Sequence, residues 1–528
     1  MRLWPLIIIA TILSLGIGYY GMLPDHYENL SQSVIASDLM AQNILSAITT
    51  KNYWDAVNEY KPLMHLWYVG ILVQFYVFMP LLLKSLHWCC KKMNLLHNFI
   101  SISIGVIWSL LVISFLLYIL PVTSIAEKFY YLPCRLYELL AGGLVGIYLV
   151  NCGCKKLPVF YGLLSVFLIL SIICGSLFMP IANGEINPVT GQENNTLLIP
   201  QCILLVIIVL LTCLVLISKQ YETNNVYVRA FAYIGKISFS IFIWHQIILA
   251  FYRYYIDDEM STVFVLSLWS ITLLMSLITY YGVEQKIKPT NKNFIICTML
   301  VLLTLIPSSW IYINAGVIRD VPELNVQKDN VYRGMFAEYC DRVYKYNKDF
   351  EDNKNINVLI VGNSFGRDFA NVLLESEYAN NINLSYIYEH DIKYVDRYNQ
   401  CDILFTFSSK KEVPYYVWDS IKSNIKVYGI CIKNYGSCNW IIYKNRHEKD
   451  YFQQEVMIDS NFYKLNDMWK KEWGSSNYID FISLTRGKNG GTKVFTDDNK
   501  FISQDCRHLT KEGAIWYAKI IDFERIFN

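Results

Sequence analysis

Through its first three hundred residues the chain repeats one pattern, an apolar run of about twenty residues followed by a short polar loop. Such runs fall near residues 4–23, 64–86, 99–120, 130–150, 158–179, 199–218, 232–252, 262–282 and 294–314. Each is long enough as a helix to cross about 30 Å of hydrocarbon, so the pattern predicts nine spans. The stretch SQSVIASDLMAQNILSAIT (31–49) differs, with apolar positions on one helical face and polar ones on the other. It predicts a helix lying at the membrane interface. After residue 314 the pattern changes. Residues 315–355 are polar and irregular and read as a tether and lead-in. From 356 short apolar runs, VLIVG (358–362), DILFTF (402–407) and KVYGICI (426–432), alternate with the helix-like RDFANVLLES and EVPYYVWDSIKSN. Alternation of this kind predicts a parallel sheet covered by helices. The expected architecture is a polytopic α-helical membrane domain (1–314), a tether (315–355) and an α/β domain (356–528).

Composition agrees with that division: 54% of the 528 residues are hydrophobic and only 17% are charged. A net charge of +2 with no basic block argues against a nucleic-acid partner. Charge position carries more than charge total. Lys84, Lys91, Lys92, Lys155, Lys156, Lys219, Arg229, Lys286, Lys288 and Lys292 follow the even-numbered spans, while the loops NGEINPVTGQENN (183–195) and IDDEM (256–260) follow odd ones. The positive-inside bias puts the N-terminus inside and everything after Gly316 outside the cytoplasm. WPLIIIATILSLGIGYYGML lacks a small-residue cleavage site and reads as a true span. Of the fourteen cysteines, Cys340, Cys401, Cys431, Cys438 and Cys506 fall in the outer part, an odd number that permits at most two internal bridges. Cys89, Cys90, Cys152 and Cys154 fall in inner loops without zinc-ribbon spacing, so no metal site is expected.

The outer domain opens on INVLIVGNSFGRDFANVLL (356–374), a strand, a tight turn bearing Ser364 and a helix-like run. Reactive groups in a parallel sheet collect at the carboxyl ends of strands. A serine hydroxyl needs a base, and the base needs a third group to fix its tautomer. The outer histidines are His390, His447 and His508; only His508 has an acid three residues before it, Asp505, in QDCRHLTKEGA. Each motif alone is as common in turns and helix caps as in active sites. The pair, one at the start of the domain and one before its last helix, predicts a Ser364–His508–Asp505 triad. In the membrane part His65, Arg135, Glu138, His245 and Glu284 are polar residues in or beside apolar spans and are functional candidates for that reason. Arg135 and Glu138 lie one turn apart and can pair.

The outer motifs resemble the SGNH hydrolase family, whose first block reads Gly-Asp-Ser and whose last reads Asp-x-x-His. Here the first block is Gly362-Asn363-Ser364, with Asn in place of Asp. The resemblance implies Ser364 as nucleophile, His508 as base and Asp505 as its orienting acid. For the oxyanion it offers Gly362, and Asn434 in GICIKNYGSCN (429–439), or else backbone N–H groups at Ser364. The membrane part resembles the acyltransferase-3 family, in which LxHxWSLxxEEQFYxxxP, RxxELLxG and GxISYSxYLxH recur; here they stand as LMHLWYVGILVQFYVFMP, RLYELLAG and GKISFSIFIWH. The fused order implies a bacterial inner-membrane O-acetyltransferase. It would move an acetyl group from cytoplasmic acetyl-CoA, its substrate, to a hydroxyl of lipopolysaccharide, capsule or peptidoglycan outside, or of a lipid-linked saccharide, with membrane lipid around it and no bound cofactor. The sequence departs from the family twice. The paired acids before QFY are Leu72 and Val73, and MRLWPLIIIA resembles the segment that follows the family's second span. Two other readings therefore stay open, an extracytoplasmic carbohydrate esterase and a non-catalytic membrane anchor for the outer domain. No inverted repeat or pair of broken helices suggests a transporter.

Overall fold

The computed structural model of the chain describes residues 3–50, 59–151, 156–178, 198–219, 226–256, 261–351 and 355–527. Two compact units form, one from residues 1–18 and 29–309, the other from 19–28 and 310–528. The first is helical: α1 (Trp4–Gly21), α2 (Pro24–Asp38), α3 (Gln42–Thr49), α4 (Trp67–Lys92), α5 (Phe99–Ile119), α6 (Ile125–Tyr130), α7 (Leu132–Asn151), α8 (Val159–Phe178), α9 (Leu198–Ile217), α10 (Val226–Tyr255), α11 (Thr262–Thr279) and α12 (Asn291–Ile313). Among the described residues seven helices are long and apolar enough to cross a membrane. The apolar stretches Val159–Cys174 and Ile203–Ile217, expected as spans five and six, are shorter. The expected loop 183–195, residues 257–260, Lys155, Cys152 and Cys154 lie outside the described residues.

The helices of this unit turn large apolar side chains outward, such as Trp108, Ile113, Phe167 and Leu303, and keep small polar ones inside, such as Ser103, Ser114, Thr272 and Ser276. That distribution is the one a hydrocarbon solvent favours, because a polar group then needs a partner from a neighbouring helix. Ser114 Oγ accepts the Tyr137 N–H at 2.9 Å, tying α5 to α7. The interfacial helix expected over 31–49 is instead two helices, α2 and α3, separated at Leu39–Ala41, where Met40 has φ 56°. Its polar face is the buried one. Asp38, Gln42, Asn43 and Ser46 are buried, while Leu39, Ile44 and Ile48 are exposed. The reason is pairing: Asp38 accepts hydroxyl bonds from Thr11 (3.0 Å) and Thr304, and the Asn43 and Gln74 side chains bond each other (2.9 Å). Buried polar groups with partners cost far less than the same groups against lipid.

The second unit is α/β. Its sheet has β1 (Ile356–Val361), β2 (Ile382–Ile387), β3 (Ile403–Thr406), β4 (Lys426–Ile430) and a short strand Tyr478–Ile479, in the order β2-β1-β3-β4-(478–479), with every pairing parallel. Val358 to Val361, Leu404 and Phe405 are buried, as strands covered on both faces must be. Glu455–Val456 and Thr492–Lys493 form a separate antiparallel pair. Residues 315–351 carry α13 (Met335–Asp341) and several 3₁₀ turns and pack as part of this unit, so the expected tether is folded. It closes the β2 edge: the Asn383 side chain donates to Glu351 O (2.8 Å), and Ser385 to Lys348 O (2.7 Å). β1 lies between β2 and β3, so the chain leaving β1 sits where strand order reverses, the place in open α/β sheets where ligands bind.

Candidate active site

β1 ends in a turn that delivers Ser364 to the first position of α14 (Ser364–Leu374). Gly362 makes the turn possible. A Cβ there would stand 2.6 Å from Cβ of Phe407, in backbone that already has φ 157°. Asn363 caps the helix, its Oδ1 accepting the Phe365 N–H at 3.0 Å and its carbonyl the Arg367 N–H at 3.0 Å. An Asp there would have served the cap equally, so the Asn keeps the turn's geometry.

His508 and Asp505 arrive from the loop before the helix Lys511–Ile520. Thr510 caps that helix by accepting the Gly513 N–H at 2.9 Å. Ser364 Oγ lies 3.0 Å from His508 Nε2, and His508 Nδ1 lies 2.7 Å from Asp505 Oδ2. The other carboxylate oxygen, Oδ1, accepts the backbone N–H groups of Arg507 (2.7 Å) and His508 (2.6 Å). Burial pushes the Asp505 carboxyl up, but the His508 ring and these N–H groups outweigh it and hold it below the ordinary value. A carboxylate facing Nδ1 assigns the ring proton there. Nε2 then presents its lone pair to the Ser364 hydroxyl, which donates to it. About a third of the His508 side chain is exposed, so the site is open to a substrate.

One of the expected oxyanion groups does other work. The Gly362 N–H is committed to Ile387 O at 3.0 Å, and its carbonyl accepts from Tyr386 Oη at 2.7 Å, so Gly362 shapes the turn and has no N–H to offer. Asn434 folds its own turn, its Oδ1 accepting the Gly436 N–H at 2.7 Å, a bond that does not use its Nδ2 donors. His390, also in this unit, is held between Tyr398 Oη (3.0 Å) and Thr406 Oγ1 (2.9 Å), with no carboxylate in those bonds.

Sequence reasoning missed the pair that supports the triad. Asp368, one turn into α14, and Lys433, after β4, form an ion pair whose side chains are 2% and 1% exposed. The same Asp368 oxygen, Oδ2, accepts the Leu509 N–H at 3.0 Å, which fixes the residue next to His508. The signal was weak because RDFAN reads as the solvated face of a helix. Phe365 stacks on Phe407 (centroids 4.7 Å apart) and the Lys433 ammonium sits 5.0 Å from the Phe365 centroid.

In the helical unit the candidates form two groups. Arg135 pairs with Glu138 at 2.6 Å, donates through Nε to Phe129 O at 3.1 Å and lies against the rings of Phe129, Tyr118 and Trp67. The His65 ring stands 5.3 Å from that of His245, edge to face, and His245 Nδ1 bonds Phe242 O at 2.7 Å. Glu284 accepts a bond from Ser240. Among the described residues no cluster of three or more His, Cys, Asp or Glu could hold a metal.

The family comparison addresses this helical unit. The profile of the acyltransferase domain matches residues 1–283, more than half of the 528-residue chain. The chain belongs to this acyltransferase family. It is 26% identical over 291 residues to a protein of Staphylococcus aureus strain COL that carries the name of an O-acetyltransferase, covering 54% of this chain and 45% of that one. To the O-acetyltransferase OatA of S. aureus strain MRSA252 it is 25% identical over 300 residues, 51% of this chain and 46% of that one. The chain thus spans less than half the length of the curated relatives it matches. No solved structure matches it. As a member of the family it carries an acyltransferase domain; seven of the chain's described helices are long and apolar enough to cross a membrane, and its parallel sheet lies beyond the residues matched.

Proposed function

We propose that the chain is a bacterial inner-membrane O-acetyltransferase that relays an acetyl group from cytoplasmic acetyl-CoA to a glycan hydroxyl outside. In this reading nine spans cross the membrane, the shorter helices in α8 and α9 included, with the N-terminus inside and an SGNH-like unit outside. The loop charges favour that sidedness. The observation that carries the reading is the Ser364–His508–Asp505 arrangement, with Oγ 3.0 Å from Nε2 and Nδ1 2.7 Å from a carboxylate, in a chain whose helical unit is an acyltransferase domain.

The chemistry follows from the geometry. Arg135, Glu138, His65 and His245 are the candidates for handling the acyl donor in the membrane unit. Ser364 Oγ attacks the delivered acetyl carbonyl while His508 Nε2 takes its proton and Asp505 steadies the resulting imidazolium. The Ser364 N–H, at the first position of α14, has no intrahelical acceptor and supports the oxyanion, aided by the helix dipole. The donor leaves with a proton from His508. A glycan hydroxyl then gives its proton to His508 and attacks the acetyl-serine ester, freeing Ser364. Two steps replace one transfer across the membrane.

The second reading is an esterase, favoured by the complete triad and the partial exposure of His508, which water can reach. Ester-linked acetate on surface glycan, measured by mass spectrometry in cells carrying this chain or its Ser364→Ala variant, separates the two. The transferase adds acetate that the Ala variant does not; an esterase leaves cells with less acetate than the variant does.

A further inference from the structure

Four of the five cysteines of the outer unit fall into two kinds. Cys401 and Cys431 are buried and have backbone partners: Cys401 bonds Tyr398 O at 3.3 Å, and Cys431 Sγ accepts the Phe481 N–H at 2.9 Å. Cys438 and Cys506 are partly exposed, and each shifts the titration of the other. The backbone brings them together. The Tyr435 N–H donates to Cys506 O at 2.9 Å and the Asn439 N–H to Gln504 O at 3.2 Å. The loop after β4 and the loop carrying the acid and base therefore run side by side, which sets Cys438 beside Cys506. Cys506 is the residue between Asp505 and Arg507, two before His508.

We propose that Cys438 and Cys506 are joined by a disulfide in the mature protein, tying the Asp505–His508 loop to the loop that follows β4. The inference rests on the outer location proposed above, where such bonds persist. The oxidant is a dithiol–disulfide exchange partner outside the cytoplasm. The neighbouring Cys438 thiol brings the Cys506 thiol down, while Cys506 pushes Cys438 up. Cys506, the more acidic of the two, is the attacking sulfur. It attacks one sulfur of the oxidant's disulfide, forms a mixed disulfide and releases one thiolate. Cys438 then loses its proton and attacks the Cys506 sulfur, releasing the second. Two electrons and two protons pass to the oxidant, which leaves as a dithiol.

The bridge acts on the triad through position. Asp505 and His508 share one loop, closed on itself by the Gln504 N–H to His508 O bond at 2.9 Å, and their distance to Ser364 depends on where that loop sits. A covalent tie one residue from Asp505 removes the loop's freedom to move away, as cross-links do for loops they close.

The test is peptide mapping of the full chain from cells quenched in acid, alkylated and digested without reductant. A cross-linked peptide pair containing Cys438 and Cys506, lighter by two hydrogens than the free pair, is expected in wild type and in Ser364→Ala alike, and absent from Cys438→Ser. Because the Ser364→Ala protein carries the link too, an idle triad would leave this result intact. Alkylation of both cysteines, or linkage of either to Cys340, overturns the pairing. A membrane-impermeant maleimide applied to intact, reductant-treated cells distinguishes the cause. Label on Cys506 beside free thiols in untreated cells means the geometry was misread; no label means the location was wrong, and the disulfide falls with it. Reductant should also lower the thermal midpoint of the detergent-solubilised wild type by several degrees and leave a Cys438→Ala/Cys506→Ala double variant unchanged; an equal fall in both contradicts a stabilising bridge.

Discussion

At the scale of single residues, Asp505 and Asp25 show how surroundings set what a carboxyl does. Asp505 is held ionised by the His508 ring and two backbone N–H groups. Replacing it with Asn keeps the shape but offers Nδ1 no carboxylate, so the ring can take the wrong tautomer. Asp505→Asn is expected to lower turnover of an acetyl ester by about 10³- to 10⁴-fold with little change in KM; an effect confined to KM would contradict an orienting role. Asp25, packed in the second unit beside Gln504, goes the other way: burial first, then the nearby Glu28, push it up to about 7. The folded state then binds its proton more tightly than the unfolded chain does. Its contribution to stability is full below about pH 4, falls as pH rises toward about 7 and is level above that. Asp25→Asn removes this fall. The difference in thermal midpoint between Asp25→Asn and wild type is therefore expected to grow from pH 4 to pH 7; a difference that stays constant across that range would show that Asp25 is not held protonated.

At the scale of elements, β1, its turn and α14 were legible in the sequence because VLIVG is a continuous apolar run ending in Gly. β3 and β4 were legible for the same reason. β2 was not. INLSYI alternates apolar with polar residues, as a half-exposed strand does, yet all six are buried. Asn383 and Ser385 find partners in Asn357 of β1 and in Lys348 and Glu351, whose irregular sequence gave no sign that they were part of the domain. The α2–α3 region misled in the opposite sense. Its two faces were visible, but periodicity does not say which face is buried, and here Asp38 and Asn43 have partners inside. The triad residues could be named from spacing, while Asp368 and Lys433 could not, since a buried ion pair far apart in sequence looks like two surface charges. That pair yields a prediction. Lys433→Met leaves the buried Asp368 with only the Arg367 guanidinium, 3.5 Å from its other oxygen, and is expected to cost toward the lower end of about 3–5 kcal/mol. Adding Asp368→Leu should recover most of it, as measured by chemical denaturation of the second unit's transition. A double variant as unstable as the single one would show that the bond to Leu509, and not the ion pair, is what the fold needs.

At the scale of the whole molecule, one chain carries an acyltransferase membrane domain and an α/β unit with a serine, a histidine and an aspartate in hydrogen-bonded series. The apolar pattern made the membrane class plain, and seven helices of sufficient length answer to it among the described residues. Span number beyond those depends on α8 and α9, whose apolar stretches are short by that measure. Leu72 and Val73 stand where the resemblance led us to expect acids, and the next residue, the half-buried Gln74, bonds the buried Asn43 across α3 and α4. In the proposed relay an acetyl group entering from the cytoplasmic side reaches Ser364. Isotope-labelled acetyl-CoA supplied to the cytoplasmic face of membrane vesicles containing the full chain, with an acid quench before acceptor glycan is added and acetylated peptides mapped by mass, tests this step. Labelled acetyl ester is expected on Ser364 in wild type and is lost in Ser364→Ala. Labelled acetate appearing on added glycan at equal rates in both proteins, with the Ser364 peptide unmodified, would contradict the relay.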